Sequence, residues 1–163
     1  MKVLWAPWRM KYISKPQSGV CIFCEARYKP DDECYVIFRG SKSFIMLNLY
    51  PYNTAHVMVA PYRHVSSLEL LDDDELLDLM KMVKLSIKAI NIEYKPQGFN
   101  IGVNLGHIAG AGIEGHLHIH VVPRWLGDTN FMPIISSTKV IPEDINETYS
   151  RLRKVITKIV SES

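Results

Sequence analysis

His116, His118 and His120 alternate with Leu117, Ile119 and Val121. On a β-strand the side-chain period is two, so the three imidazoles share one face and the apolar residues take the other. Half of the chain's six histidines fall in these five residues, and imidazole titrates near neutral pH. Two kinds of chemistry suit the pattern. His-x-His can supply two ligands to a metal ion held on a strand. Alternatively, one neutral imidazole acts as a nucleophile, its second nitrogen fixed by a hydrogen bond, while a neighbouring histidine binds the anion under attack. A merely solvated strand face would be expected to use Lys, Glu and Thr instead. Just upstream, Asn104 is followed by Gly106, Gly110 and Gly112, and such a loop exposes backbone N–H groups that can cradle phosphate oxygens. Beside three histidines, the loop favours the nucleophile.

A second constellation is Cys21-Ile22-Phe23-Cys24. C-x-x-C is the spacing of a zinc knuckle or of a redox pair. No second C-x-x-C follows, which excludes a four-cysteine site, and the βαβ context of a redox pair is missing. The remaining cysteine, Cys34, reads as a small core residue. Three cysteines without a secretion signal point to a reducing compartment, with the cytoplasm as the expected location.

The elements that must position these groups follow from periodicity. Strands are expected over 35–39 and 43–49, joined by the hairpin turn Gly40-Ser41-Lys42, and over 55–60 after the turn Pro51-Tyr52-Asn53. Ser66-x-x-Glu69 and Asp72-x-x-Glu75 are capping-box patterns. They precede a long helix striped by Leu76, Leu79, Met80, Val83, Ile87 and Ile90 and stopped at Pro96-Gln97-Gly98. A strand over 99–104 leads through the glycine loop to the histidine strand over 116–122. A last helix starts near Pro142 and carries Ile145, Tyr149, Leu152, Ile156 and Ile159 on one stripe. Strands followed by segregated helices indicate an α+β fold on an antiparallel sheet.

The bulk properties agree. The 163 residues suit one domain over 1–163, with an arm at 1–19 anchored by Trp5 and Trp8 and a C-terminal helix over 142–163. Hydrophobic residues make up 47% and charged residues 22%, as in an ordinary globular protein. A net charge of +2 gives no mandate for nucleic acid or an anionic membrane. No run is apolar for long enough to span a bilayer.

HLHIHVV resembles the signature of the histidine triad (HIT) family, His-φ-His-φ-His-φ-φ with φ apolar. The run NLYPYNTAHVMVAPYRH resembles that family's early strands. GVNLGHIAGAGIEGHLHIHVVPRWLGDTNFMP and the arm WAPWRMKYI resemble its diadenosine tetraphosphate phosphorylase/hydrolase-like branch. The resemblance implies a HIT-like antiparallel sheet of about five strands with a long central helix and a C-terminal helix, extended across a homodimer. It implies cleavage at the α-phosphate of adenosine polyphosphates through a nucleotidyl-histidine intermediate, with water or phosphate as acceptor. Two alternatives stand beside it: a nucleotide-binding module with little turnover, and a metalloenzyme using the three histidines as ligands.

By the same resemblance, His118 is the nucleophile and His120 binds the phosphate. The carbonyl of His116 braces His118, and His56 supports the triad. Asn104, Ala111 and Gly112 are assigned to the phosphates, and Asn48 to the ribose. Ile22, Phe23, Met46 and Leu49 are assigned to the base, with ordinary core packing as the competing account of these four. Trp125 is placed at the active-site side, lining a second-nucleoside region or covering a dimer seam. Some HIT proteins close a structural zinc with Cys21, Cys24, His64 and His116 as they stand in this sequence. One departure is visible: Ala111-Gly112-Ile113 lacks the Ser or Gln that many members place before the triad to assist the leaving group.

Overall fold

A computed structural model describes residues 21–130 and 139–162. The arm at 1–19, with Trp5 and Trp8, lies outside the described residues. Two short helices, α1 (Ile22–Ala26) and α2 (Asp31–Cys34), lead into β1 (Val36–Arg39) and β2 (Ser43–Leu47). They are followed by β3 (Val57–Pro61), a 3₁₀ turn at Leu68–Leu70, α3 (Asp73–Tyr94), β4 (Gly98–Val103), β5 (Ile119–Arg124) and α4 (Ile145–Ser161). The strands form one antiparallel sheet in the order β1-β2-β3-β5-β4. The expected α+β architecture of five strands, a long helix and a C-terminal helix is therefore what the chain adopts. Among the described residues no helix is long and apolar enough to cross a membrane.

The two faces of the sheet have different duties. Ile45, Leu47, Val57, Val59, Leu117, Ile119 and Val121 pack with Leu79, Val83 and Ile90 of α3 and Leu152 and Ile156 of α4 in the main core. On the opposite face Val36, Phe44, Met46, Met58 and Ala60 pack beneath Phe23 and Ala26 of α1. Register puts the histidines on this second face, because His120 stands opposite Met58 on β3 and Gly102 on β4. Residues paired across a ladder point to the same side. A Cβ on Gly102 would meet nothing within 4 Å among the described residues, so none of these covers the β4 side of the histidine row.

Local chemistry corrects several expected boundaries. The ladder of the histidine strand begins at Ile119 rather than 116, and it ends at Arg124. Register would bring Leu117 opposite Pro61, which has no N–H to donate, and the Leu117 N–H turns instead to the carbonyl of Val65 (2.6 Å). Asp72 and Glu75 do form the capping box of α3, with Glu75 accepting from the Asp72 N–H at 2.9 Å. Ser66-x-x-Glu69 starts no helix; Glu69 is engaged by the Ser67 hydroxyl and only the 3₁₀ turn forms. Met80 is exposed, and Met82 and Ser86 hold the buried face beside Leu79 and Val83. A residue one step beyond Leu79 lies about 100° round the helix. The last helix starts at Ile145, capped by Asp144, whose carboxylate accepts from the Asn146 N–H.

One tertiary contact was not legible in the sequence. Asp78 of α3 is buried and accepts from the Ser43 hydroxyl (2.6 Å), the Ser41 hydroxyl (2.7 Å) and the Lys42 N–H (3.0 Å). The β1–β2 turn is thereby pinned to the helix. Gly40 fits there only without a side chain, since a Cβ would come within 2.9 Å of the Ser43 carbonyl. Asp78→Ala strands buried donors, so we expect a loss of about 2–3 kcal/mol in denaturant-induced unfolding, with kcat unchanged for the folded fraction.

Candidate active site

The tautomer of each histidine follows from its partners. A neutral imidazole has one N–H and one lone pair, and a partner that can only accept, or only donate, decides which nitrogen carries which. His116 Nε2 lies 2.8 Å from the carbonyl oxygen of Pro61 and donates to it, which leaves Nδ1 unprotonated. His118 Nδ1 lies 2.9 Å from the carbonyl oxygen of His116 and donates to it, which leaves Nε2 as a lone pair. The third chain starts from the backbone: the Tyr52 N–H donates to His56 Nδ1 at 3.0 Å. The proton of His56 therefore sits on Nε2, facing His120 Nδ1 at 2.9 Å. His120 accepts there and carries its own proton on Nε2. His118 thus presents a lone pair at Nε2, and His120 presents a proton at the same atom.

Burial keeps the row neutral. Desolvation pushes His118 below the usual imidazole range, partly offset by its bond to the His116 carbonyl. Burial, then the neighbouring His120 and His118, pushes His56 down to about 3. Burial, then His118, pushes His120 to about 4. The rings also order one another: Phe23 lies 5.0 Å from His116 and 4.9 Å from His118, and His118 meets His120 edge-on at 4.9 Å. The three imidazoles do not converge on one ion, because His116 turns Nε2 to the Pro61 carbonyl and Nδ1 to the cysteines, away from His118 and His120.

His116 turns its Nδ1 toward the cysteines. Ligand atoms of Cys21, Cys24, His64 and His116 all lie within 4.8 Å of one another, and the three cysteines are free thiols. Cys21 caps α1 and Cys24 lies in it, so the C-x-x-C straddles a helix start. Gly115 packs against this cluster, where a Cβ would stand 3.2 Å from His64 Nε2.

The other expected site residues divide. Asn104 follows Val103, the partner of Ile119, so register sets it across from His118; its amide donates to the Gly110 carbonyl at 3.4 Å. Gly106 and Gly110 have positive φ, which glycine adopts without strain. The Ala111 N–H goes to the Gly106 carbonyl at 3.3 Å, so that donor is used inside the loop. Asn48 sets its amide nitrogen 3.3 Å from His56 Nδ1, and its oxygen accepts from the Tyr50 N–H. One amide hydrogen and one lone pair remain for a ligand. Phe23 and Met46 are buried, whereas Ile22 and Leu49 are 41% and 45% exposed. Trp125 is not at the histidine end: it follows the far end of β5, roughly 16 Å along the strand from His120. It lines a separate recess of about 620 Å³ with Tyr94, Glu143 and Arg151. The sequence reading missed Tyr52, whose ring lies over His56 (4.6 Å) and His120 (5.7 Å) and whose N–H sets the tautomers. The segment 51–53 announced only a turn.

Residues 29–125 match the HIT domain. The chain belongs to the HIT family. It is 45% identical over 154 residues to a Mycobacterium tuberculosis protein named AP-4-A phosphorylase, covering 89% of this chain and 79% of that one. Among solved structures it is similar to a hypothetical histidine triad nucleotide-binding protein from Sulfolobus tokodaii, at 32% identity and a TM-score of 0.67, covering 87% of this chain and 93% of that one. It also shares its fold with a Zn-bound histidine triad family protein from Mycobacterium smegmatis, at 23% identity and a TM-score of 0.70, covering 90% of this chain and 99% of that one.

The neutral histidines of this HIT site carry a consequence for stability. Below pH 6.5 the unfolded chain protonates His56 and His120, while the folded protein resists until about pH 3 and pH 4. The unfolded state then binds more protons, so stability is intact above pH 6.5 and declines as pH falls toward 4. Comparing denaturation curves across that interval, we expect His120→Asn to flatten the slope, by at most about 1.4 kcal/mol per pH unit.

Proposed function

We propose that this HIT protein cleaves adenosine polyphosphates by two-step nucleotidyl transfer through His118. The observation that carries the reading is the opposed pair of tautomers, with an unprotonated Nε2 on His118 beside a protonated Nε2 on His120. In the first step His118 Nε2 forms a bond to the α-phosphorus. The bond from that phosphorus to its bridging oxygen breaks, and the remaining polyphosphate leaves with the electron pair. The imidazolium formed on His118 is stabilised at Nδ1–H by the His116 carbonyl. His120 donates to a non-bridging oxygen, where charge gathers in the transition state. In the second step an acceptor attacks phosphorus and His118 is released. Inorganic phosphate is the favoured acceptor over water, on the strength of the name borne by the M. tuberculosis relative.

The missing Ser or Gln at Ala111-Gly112-Ile113 is compatible with this chemistry. A polyphosphate leaves as a weakly basic anion and needs no proton donor, unlike an amine or an alcohol. Asn104 and the backbone of the glycine loop, including Gly112, would hold phosphate oxygens. Asn48 would take a ribose hydroxyl, and Ile22 and Leu49 offer exposed apolar surface to the base. Phe23 and Met46 back the site from the core, and Trp125 would reach a second nucleoside only from the distal recess or from a second subunit. The homodimer belongs to the proposal as well.

Cys21, Cys24, His64 and His116 would hold a zinc ion. In support, the separations are 3.3 Å (Cys21–His116), 3.2 Å (Cys24–His64), 3.6 Å (Cys24–His116) and 3.2 Å (His64–His116). Edges of a tetrahedron around zinc would be about 3.5 Å for S–N and about 3.3 Å for N–N, given the usual bond lengths. The Pro61 carbonyl orients the His116 ring as an outer partner does for a metal ligand. The ion would be structural, tying α1 to the strand that carries His118, and reduced thiols suit a cytoplasmic location.

Incubation with diadenosine tetraphosphate, with and without inorganic phosphate, tests the reaction. We expect an acid-labile AMP adduct on His118 by mass spectrometry, ADP as the phosphate-dependent product, and a fall of roughly three orders of magnitude or more in turnover for His118→Ala. Undiminished turnover in that variant would sink the nucleophile assignment. Chelation is expected to release one zinc per chain and lower the melting temperature; a protein purified without zinc and unaffected by chelators would remove the metal from the proposal.

A further inference from the structure

The tautomer chain that arms His120 begins at two donors to His56 Nδ1, the Tyr52 N–H at 3.0 Å and the Asn48 amide at 3.3 Å, and the shorter of the two comes from a turn. A hydrogen bond from a turn is only as well placed as the turn, and this one is strained. Ala55 lies at φ 60°, a left-handed conformation that a residue with a Cβ adopts only under strain. The turn therefore needs something to hold it against relaxation. The holding group is Asn53, which is buried. Its amide donates twice, to the Pro123 carbonyl at 3.0 Å and to Asp128 Oδ2 at 2.8 Å, and its own carbonyl accepts from the His56 N–H at 3.2 Å.

Asp128 is in turn fixed from several directions. Its side chain is 5% exposed. It accepts from Arg124 Nε at 2.6 Å, Arg124 Nη2 at 3.1 Å and the Trp125 N–H at 3.2 Å. The Arg124 guanidinium reaches on to Asn100 of β4 at 2.7 Å. Pro123 lies on β5 three residues beyond His120. The clamp therefore fastens the turn that sets His56 onto the strand that carries the group His56 must meet.

We propose that Asn53, held by Asp128, is a positioning residue of the reaction, which keeps the Tyr52 N–H on His56 and so holds the His120 proton on Nε2. The inference rests on the nucleotidyl-transfer reading for its catalytic consequence. The clamp touches neither substrate nor the reacting atoms, and it acts through the Tyr52 turn and His56. If it loosens, His56 can rotate or take the other tautomer. His120 then presents a lone pair, rather than a donor, to the developing phosphate charge.

Two variants and two readouts test this on the full-length, zinc-replete protein. Asn53→Ala removes both amide bonds, and Asp128→Asn keeps the side-chain shape while removing the charge, so that a folded variant remains if the first fails to fold. Nitrogen-15 NMR of the histidine side chains should show His56 and His120 protonated at Nε2 in the parent protein. Both variants should give mixed tautomers. With diadenosine tetraphosphate and inorganic phosphate, kcat should fall about tenfold to a hundredfold with KM within about twofold. In a His56→Asn background the same substitutions should cost nothing further. Unchanged tautomers in both variants, or an equal loss of kcat with and without His56, would overturn the proposal. The spectra decide the clamp even if diadenosine tetraphosphate is not turned over, so failure of the substrate reading is separable from failure of this one.

Discussion

Pro61 closes β3 with a residue that cannot donate a hydrogen bond, and the site is arranged around that vacancy in the ladder. The β3–β5 pairing ends at Val59 and Ile119, so the backbone of 116–118 is released from the ladder. The Pro61 carbonyl takes the Nε2–H of His116 at 2.8 Å. This single contact orients a ring whose other nitrogen faces two thiols and a second imidazole, and whose backbone carbonyl holds His118. A continued ladder would leave no such carbonyl for the His116 ring.

The site is a set of proton positions fixed by backbone groups rather than by charged side chains. The carbonyls of Pro61 and His116 define two histidines, and the N–H of Tyr52, with the Asn48 amide beside it, defines His56 and, through it, His120. No carboxylate touches these rings directly, and burial keeps each ring neutral at physiological pH. An arriving phosphate then meets a lone pair and a donor side by side. Its negative charge is the first to enter a pocket of neutral dipoles, where electrostatic stabilisation is strongest. The two faces of the sheet separate stability from chemistry: α3 and α4 seal one, and the histidines share the other with a small apolar cluster.

Much of this was legible because short-range physics carries it. Alternation of His with Leu, Ile and Val implies a shared face wherever the segment is a strand. The Asp72–Glu75 box, the stripe of α4 and the hairpin at Gly40-Ser41-Lys42 are local signals that the chain obeys. Met80 and Ser66-x-x-Glu69 were misleading for a stated reason. One sits about a quarter-turn from the buried face, and in the other a nearer hydroxyl captures the carboxylate. Trp125, expected at the active-site side in a second-nucleoside region or a dimer seam, follows the far end of β5 and lines the recess with Tyr94 and Arg151.

Residue types and spacing by themselves determined that this chain would align three imidazoles beside a glycine loop, and that Cys21 and Cys24 could offer a pair of ligands. They could not determine which nitrogen of each ring is protonated, because that depends on the 2.8–3.0 Å contacts of Pro61, His116, Tyr52 and His120. Nor could they place Asp128 against Asn53, 75 residues away in sequence. Periodicity describes which face a side chain takes. Only the packing of distant strands and turns decides which atom it meets there, and in this protein that choice assigns each histidine its chemistry.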